Sequence, residues 1–481
     1  MNNSGIARTV LAVMVALTSA VFAEVKLPNV IGSNMVLQQG KPINLWGWAD
    51  AGEKVTAGFA GARASCTTGA DGKWAMQLPS QKANSEAQIL TVSGTNKITL
   101  ENILVGEVWL CSGQSNMQFA MRKTQYKAEE IPKANFSTIR LFKIGTKALP
   151  VPTDNVPATW QACTPATVAN FSAVGYHFGK NLHNELNVPI GLIQSAWGGT
   201  EIEPWTPLVG FQKVSSLSKF ADQVKGLKAG EKINNRTPSA IYNGMIYPIA
   251  PFTMSGAIWY QGESNCLKGD TANYTDKTLA MVNGWRTVFK QDDLSFYFVQ
   301  IAPFIYESRF KKRNSSLTVE SLPRFWDAQT ACMKAIPGCG MAVVTDITGN
   351  VNNIHPANKR DVGHRLALWA LARNYGKTDL VYSGPLYKSM QVQGNKVAIS
   401  FDYCGSGLNS LDGKELTQFT VAGADKKFVE AKAVMEGNQL VVTAPEVSSP
   451  VAVRFAWHET AVGNLGNNEG LPAVPFRTDS W

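Results

Sequence analysis

From residue 24 to about 102, apolar and polar positions alternate in short runs. Ile43-Asn-Leu-Trp-Gly-Trp48 alternates cleanly, and Val55–Phe59, Trp74–Leu78 and Ala87–Val92 do so more loosely. Turn-forming stretches such as Ala51-Gly52, Ala70-Asp-Gly72 and Ser93-Gly94 separate them. Strands about ten residues apart with no helical period predict a small β-sandwich. The pattern changes at residue 103. Ile103 to Cys111 is apolar with two interruptions and reads as a buried strand. Further apolar runs follow at Thr138–Phe142, Val188–Ile193, Gly256–Tyr260, Ser295–Ile301 and Gly340–Thr345. Helical periodicity falls between or after them, at Val174–Leu186, Tyr274–Phe289, Phe325–Lys334 and Lys359–Tyr375. This alternation predicts an α/β domain over 103–378, with a parallel sheet, helices on both faces and functional loops at the strands' carboxyl ends. Residues 379–481 return to a β-rich texture, with Lys396–Phe401 and Val451–Trp457 alternating well.

Residues 1–23 stand apart from this organisation. Arg8 precedes an apolar run, Val10 to Phe22, which closes on Val21-Phe22-Ala23. That is the pattern of a cleaved signal peptide ending at Ala23, and the run is short for a membrane span. The mature protein is expected to be secreted or periplasmic, with no membrane span. The net charge of +9 comes from scattered Lys and Arg; Lys311-Lys312-Arg313 is the one tight basic run, so no nucleic-acid partner is indicated. Seven cysteines are too few and too dispersed for a disulfide framework, and no CxxC or HExxH spacing marks a metal site. Oligomeric state is not readable from the pattern.

Candidate chemistry begins where the first buried strand ends. Ser112-Gly113-Gln114 breaks the strand, Ser115 follows at once, and the chain beyond Asn116 can enter a helix. Strand, tight turn and serine present an Oγ at the edge of a parallel sheet, with backbone N–H groups free to meet an oxyanion. The alternative is a turn in which Ser115 is only a helix N-cap. The spacing is not G-x-S-x-G, because Met117 holds the last position. Of five histidines, His177, His183 and His364 lie in helical patterns and His458 follows a strand. His355 lies in a loop between a buried strand and a helix, stiffened by Pro356, which suits a general base. Two more loops follow predicted strands. Gly198-Gly199 lets a backbone N–H approach a substrate carbonyl. In Gln261-Gly-Glu-Ser-Asn265, Gln261 or Asn265 could donate to an oxyanion, and Glu263 could orient a histidine or bind sugar hydroxyls. Trp197, Trp205 and Tyr260 are candidates for stacking on a sugar ring, and Gln114 and Asn116 for contacting substrate.

Five segments, Gly113-Gln-Ser-Asn-Met117, Gly191-Leu-Ile-Gln-Ser-Ala-Trp-Gly-Gly-Thr200, Tyr242-Asn-Gly-Met-Ile246, Trp259-Tyr-Gln-Gly-Glu-Ser-Asn265 and Ile354-His-Pro356, resemble the sialate O-acetylesterase family. That family is of the SGNH hydrolase type and is related to certain acetyl xylan esterases. The ending Gly470-Leu-Pro-Ala-Val-Pro-Phe476 is similar too. The resemblance implies a flavodoxin-like α/β/α domain that removes O-acetyl groups from sugars without a cofactor. It implies Ser115 as nucleophile and His355 as base. The oxyanion site would combine the Ser115 N–H, Gly198 or Gly199, and a side chain of the 261–265 loop. One position departs from the pattern. SGNH enzymes commonly carry Asp three residues before the histidine, and here that residue is Asn352. Glu263 is the tentative replacement acid; a backbone carbonyl orienting a Ser–His dyad and Asp346 are the other options. The expected substrate is an O-acetylated sialic acid, with acetylated xylan as the alternative. A non-catalytic carbohydrate-binding protein is the rival from another class; no lid segment supports a lipase.

Overall fold

The apolar run at Ile103 belongs to a strand of 17 residues, Lys97–Gly113. In the computed structural model, which describes residues 24–481, this strand serves two regions. Its first part pairs antiparallel with Asn84–Ser93, and Leu104 to Gly106 pair parallel with Val36–Gln38. Asn102 takes a positive φ of 58° where the register with Asn84–Ser93 shifts. Past that point the strand is buried on both faces and becomes the middle of the main sheet. The division expected between residues 102 and 103 therefore falls inside one continuous strand. The leader expected over residues 1–23 lies outside the described residues.

The main sheet runs in the order Cys339–Ala342, Ser295–Val299, Gly256–Tyr260, Lys97–Gly113, Ile190–Ala196, Phe136–Lys143, Trp160–Cys163. Neighbours are parallel up to Phe136–Lys143, and the last strand pairs antiparallel, so the sheet is mixed. Strands buried on both faces need near-continuous apolar sequence, which is why the period-two signal vanishes here. The helix Ala173–Leu186 packs on Ile190–Ala196 and on the helix Arg360–Arg373, which also covers Cys339–Ala342 and Ser295–Val299. A second group joins the helix Tyr274–Phe289 to Ser321–Ala335. The core of the N-terminal strands is continuous with that of the α/β region, whereas residues 397–476 supply a core of their own.

The C-terminal β region docks on the α/β region. Arg454 Nη1 meets Glu320 Oε1 at 2.8 Å, Arg477 Nε meets Asp327 Oδ2 at 2.8 Å, and the Phe304 N–H donates to the Glu459 carbonyl at 2.9 Å. All seven cysteines are free. Among the described residues, no helix is long and apolar enough to cross a membrane.

Candidate active site

The central strand stops at Gly113, whose φ is +134°, a conformation that L side chains rarely adopt. A Cβ there would also lie 2.2 Å from the Tyr260 carbonyl oxygen of the neighbouring strand. The chain then enters a single helical turn, Ser115–Gln118. Gln114, not Ser115, is its N-cap, and it makes no side-chain capping bond. Ser115 is therefore the first helical residue, and its hydroxyl serves another partner. Ser115 Oγ lies 2.8 Å from His355 Nε2. His355 comes from the loop between the turn Thr345–Ile347 and the helix Arg360–Arg373, and its N–H donates to Asn353 Oδ1 at 3.0 Å. Segments 240 residues apart in sequence thus meet at the carboxyl ends of parallel strands.

Among the described residues, no carboxylate meets the imidazole. Glu263, the tentative acid, is corrected by its geometry: Oε1 accepts from Asn116 Nδ2 at 2.5 Å, and Oε2 has no partner. Asp346 is held instead by two 2.6 Å bonds from Arg365. Asn352 is exposed, with its N–H donating to Asn350 Oδ1 at 2.9 Å. Of the options set out from sequence, a Ser–His dyad without a charged third member fits these contacts. Burial, and after it the charges of Lys359 and Lys123, hold the His355 imidazole below its ordinary pKa.

The expected oxyanion donors divide. The Ser115 N–H, in the first helical turn, has no intrahelical acceptor. Gly198 lies against Ser115, since a Cβ there would be 3.1 Å from Ser115 Cβ, and its N–H donates to Gln118 Oε1 at 2.9 Å. Gly199 is exposed at φ +74°. Gln261 and Asn265 do not qualify. Gln261 Nε2 donates to the Thr200 carbonyl and to Asn265 Oδ1, while Asn265 Nδ2 donates to Glu203 and Asp270. Both side chains are fully buried and fix the loop.

Most of the substrate contacts expected from sequence are also corrected. Trp205 and Tyr260 are fully buried, and Trp205 Nε1 donates to Thr200 Oγ1 at 3.0 Å. Gln114 is buried, with Oε1 accepting from the Gly262 and Ser264 N–H groups. Asn116 is fully buried and all its amide atoms are engaged. Trp197 alone stays partly exposed. The cleft beside Ser115 and His355, about 280 Å³, is instead lined by Gln118, Phe119, Arg122, Lys123, Lys143 and Asn170. Among the described residues, Arg122, Lys123 and Lys143 have no carboxylate partner. Lys143 Nζ donates to the Asn170 carbonyl at 2.6 Å. Its pKa is lowered by burial and by the neighbouring Arg122.

The other histidines are occupied elsewhere or buried in the core. His183 bonds Thr138, His364 bonds Asn181, His458 bonds Thr460, and His177 is buried with its Nε2 unpartnered. Among the described residues, no group of three His, Cys, Asp or Glu side chains could hold a metal ion.

A buried strand that ends beside a partly buried serine, in hydrogen-bond contact with a loop histidine, sets the geometry of the site in an α/β fold. Comparison with known proteins specifies it further. The family model described as carbohydrate esterase, sialic acid-specific acetylesterase, matches residues 105–369. The sialate O-acetylesterase of Pongo abelii is 26% identical over 472 residues, covering 90% of this chain and 87% of that protein. The human sialate O-acetylesterase is 27% identical over 419 residues, covering 79% of this chain and 76% of its own. The crystal structure of a carbohydrate acetylesterase from Xanthomonas citri is 35% identical with a TM-score of 0.84, covering 95% of this chain and 100% of that one. The chain belongs to the sialic acid-specific acetylesterase family of carbohydrate esterases, and it is a carbohydrate O-acetylesterase.

Proposed function

We propose that the protein is a serine O-acetylesterase acting on acetylated acidic sugars, with O-acetylated sialic acids as the preferred class. The 2.8 Å contact between Ser115 Oγ and His355 Nε2 carries the catalytic part of this reading. Neutral His355 accepts the Ser115 proton as Oγ attacks the acetyl carbonyl carbon. The negative charge that develops on the carbonyl oxygen is met by the Ser115 N–H and the Gly199 N–H, the Gly198 N–H being held by Gln118 Oε1. His355 then returns the proton to the departing sugar oxygen, leaving acetyl-Ser115. Water, deprotonated by the same imidazole, attacks this ester, and acetate leaves with Ser115 regenerated. No step requires a metal or cofactor.

The three unpaired cations at the cleft support the substrate class. A sialic acid carries a carboxylate that could meet Arg122, Lys123 or Lys143, whereas a neutral xylan chain offers them nothing of opposite charge. The helix groups Ala173–Leu186 with Arg360–Arg373, and Tyr274–Phe289 with Ser321–Ala335, fit the two outer layers of an α/β/α arrangement. The N-terminal pattern favours an exported enzyme that meets glycans outside the cytoplasm. The test is acetate release from a panel of O-acetylated sialosides, acetyl xylan and a neutral acetyl ester. The reading expects the highest kcat/KM on the sialosides. Preference for xylan would overturn the substrate class, and no release from any ester would favour a carbohydrate-binding role.

A further inference from the structure

A dyad without a third acid still needs something to fix its base, and the nearest candidate lies underneath the nucleophile. Asn116, the residue after Ser115, spends its whole amide on three different segments. Its Nδ2 donates to Glu263 Oε1 at 2.5 Å and to the Ile354 carbonyl at 3.0 Å, and its Oδ1 accepts from Lys359 Nζ at 2.5 Å. Ile354 immediately precedes His355, so one side chain ties the nucleophile's turn to the main chain that carries the base. Asn116 and Lys359 are fully buried, and Glu263 is 2% exposed. Lys359 Nζ also lies 5.2 Å from the centroid of Phe119 and 5.1 Å from that of Tyr260. The Phe119 ring, in turn, is 6.2 Å from the imidazole. A buried ammonium without a directly bonded carboxylate is costly and persists only when its surroundings hold it. Here one amide and two aromatic faces hold it.

We propose that Asn116, Glu263 and Lys359 form a buried positioning unit in place of a triad acid, in which Asn116 sets the register of Ser115 with His355 and the Lys359 charge adds to burial in favouring the neutral imidazole. A triad carboxylate stabilises imidazolium; a buried ammonium does the opposite and keeps the base ready at lower pH. The charged groups acting on His355 are Lys359 from its own segment and Lys123 from the turn after the nucleophile helix. Glu263 faces Lys359 across Asn116, and the Tyr260 phenol, raised well above its ordinary pKa by burial, stays neutral. Burial lowers the Lys359 pKa, and Glu263 opposes that shift.

This inference rests on the Ser115–His355 reading, and the experiment separates the two. The pH dependence of kcat/KM is measured for the full-length wild type, Lys359→Met and Lys359→Arg, with near-UV circular dichroism as the folding check. The wild-type acid limb is expected below the free-histidine value of about 6.5. In Lys359→Met it moves upward by about half a unit to one unit, the scale of a nearby charge effect. Lys359→Arg keeps the charge and returns the limb toward the wild-type position. A folded Lys359→Met with an unmoved limb overturns the proposal. Should Lys359→Met not fold, Lys359→Gln, which keeps a donor for Asn116 Oδ1 without the charge, is measured in its place. An unmoved acid limb in folded Lys359→Gln overturns the proposal, and an upward shift supports it. An active, folded Ser115→Ala overturns the catalytic reading itself, whatever the limb does.

Discussion

Neutralising the cations of the cleft should cost activity on an acidic sugar ester and spare activity on a neutral one. Arg122 and Lys123 are exposed, and the exposed Lys143 is anchored by its 2.6 Å bond to the Asn170 carbonyl. An exposed ion pair contributes about 0.2–1 kcal/mol. Two or three such contacts to one carboxylate therefore amount to about 0.4–3 kcal/mol, or roughly two- to a hundred-fold in affinity. In a sialic acid the carboxylate and the acetyl esters sit on different carbons, so a cation contact to the carboxylate acts on the ground state and the transition state alike. Its loss should raise KM and leave kcat nearly unchanged. The assay compares wild type with the triple variant Arg122→Gln, Lys123→Gln, Lys143→Gln on an O-acetylated sialoside and on a neutral acetyl ester. At about 1 M salt, where the Debye length falls to about 3 Å, the wild type should lose much of its advantage. An equal loss on both esters, or no loss on the sialoside, would rule out a carboxylate contact at these cations.

Two further substitutions test positions where the structure departs from expectation. Glu263→Gln should lower kcat by less than about ten-fold, because its carboxylate bonds Asn116 and not the imidazole; loss of a true triad acid costs about 10⁴, and steady-state kinetics separate the two. Trp205→Ala should destabilise the fold by about 3–5 kcal/mol through a core cavity, read by urea denaturation, with KM for the sugar ester unchanged in the folded fraction. A raised KM with unchanged stability would restore Trp205 as a sugar platform.

Elements with strong periodicity were legible from the residues alone. The helix over Tyr274–Phe289 has the limits its pattern predicts. Phe325–Lys334 grows to Ser321–Ala335, because Leu322 and Pro323 are also buried against the protein. The strand at Ile103 extends back to Lys97 through polar Glu101 and Asn102, where a one-sided strand alternates and the apolar run gives no warning. Ser115 and His355 stood out because a break in a buried strand and a loop Pro are local signals. Their meeting, by contrast, is a product of parallel strand order. Trp205, Tyr260, Gln261 and Asn265 misled for one shared reason: residue type and loop position do not say which way a side chain points. Here they point inward and satisfy one another. Arg122, Lys123 and Lys143 were missed because they are scattered in sequence. The Arg122-Lys123 pair just past the nucleophile turn was the available hint. Lys359 was hidden as the polar start of a helix, a place where lysines are usually solvated.

The claim on which everything else depends is that Ser115 is the nucleophile, and Ser115→Ala tests it most directly. Acetate release from an O-acetylated sialoside is measured for wild type and variant at equal protein, with circular dichroism confirming the fold. The rate is expected to fall at least about 10³-fold, to the level that binding and oxyanion donors alone sustain. A correctly folded Ser115→Ala protein that releases acetate at a rate near the wild type would contradict that claim.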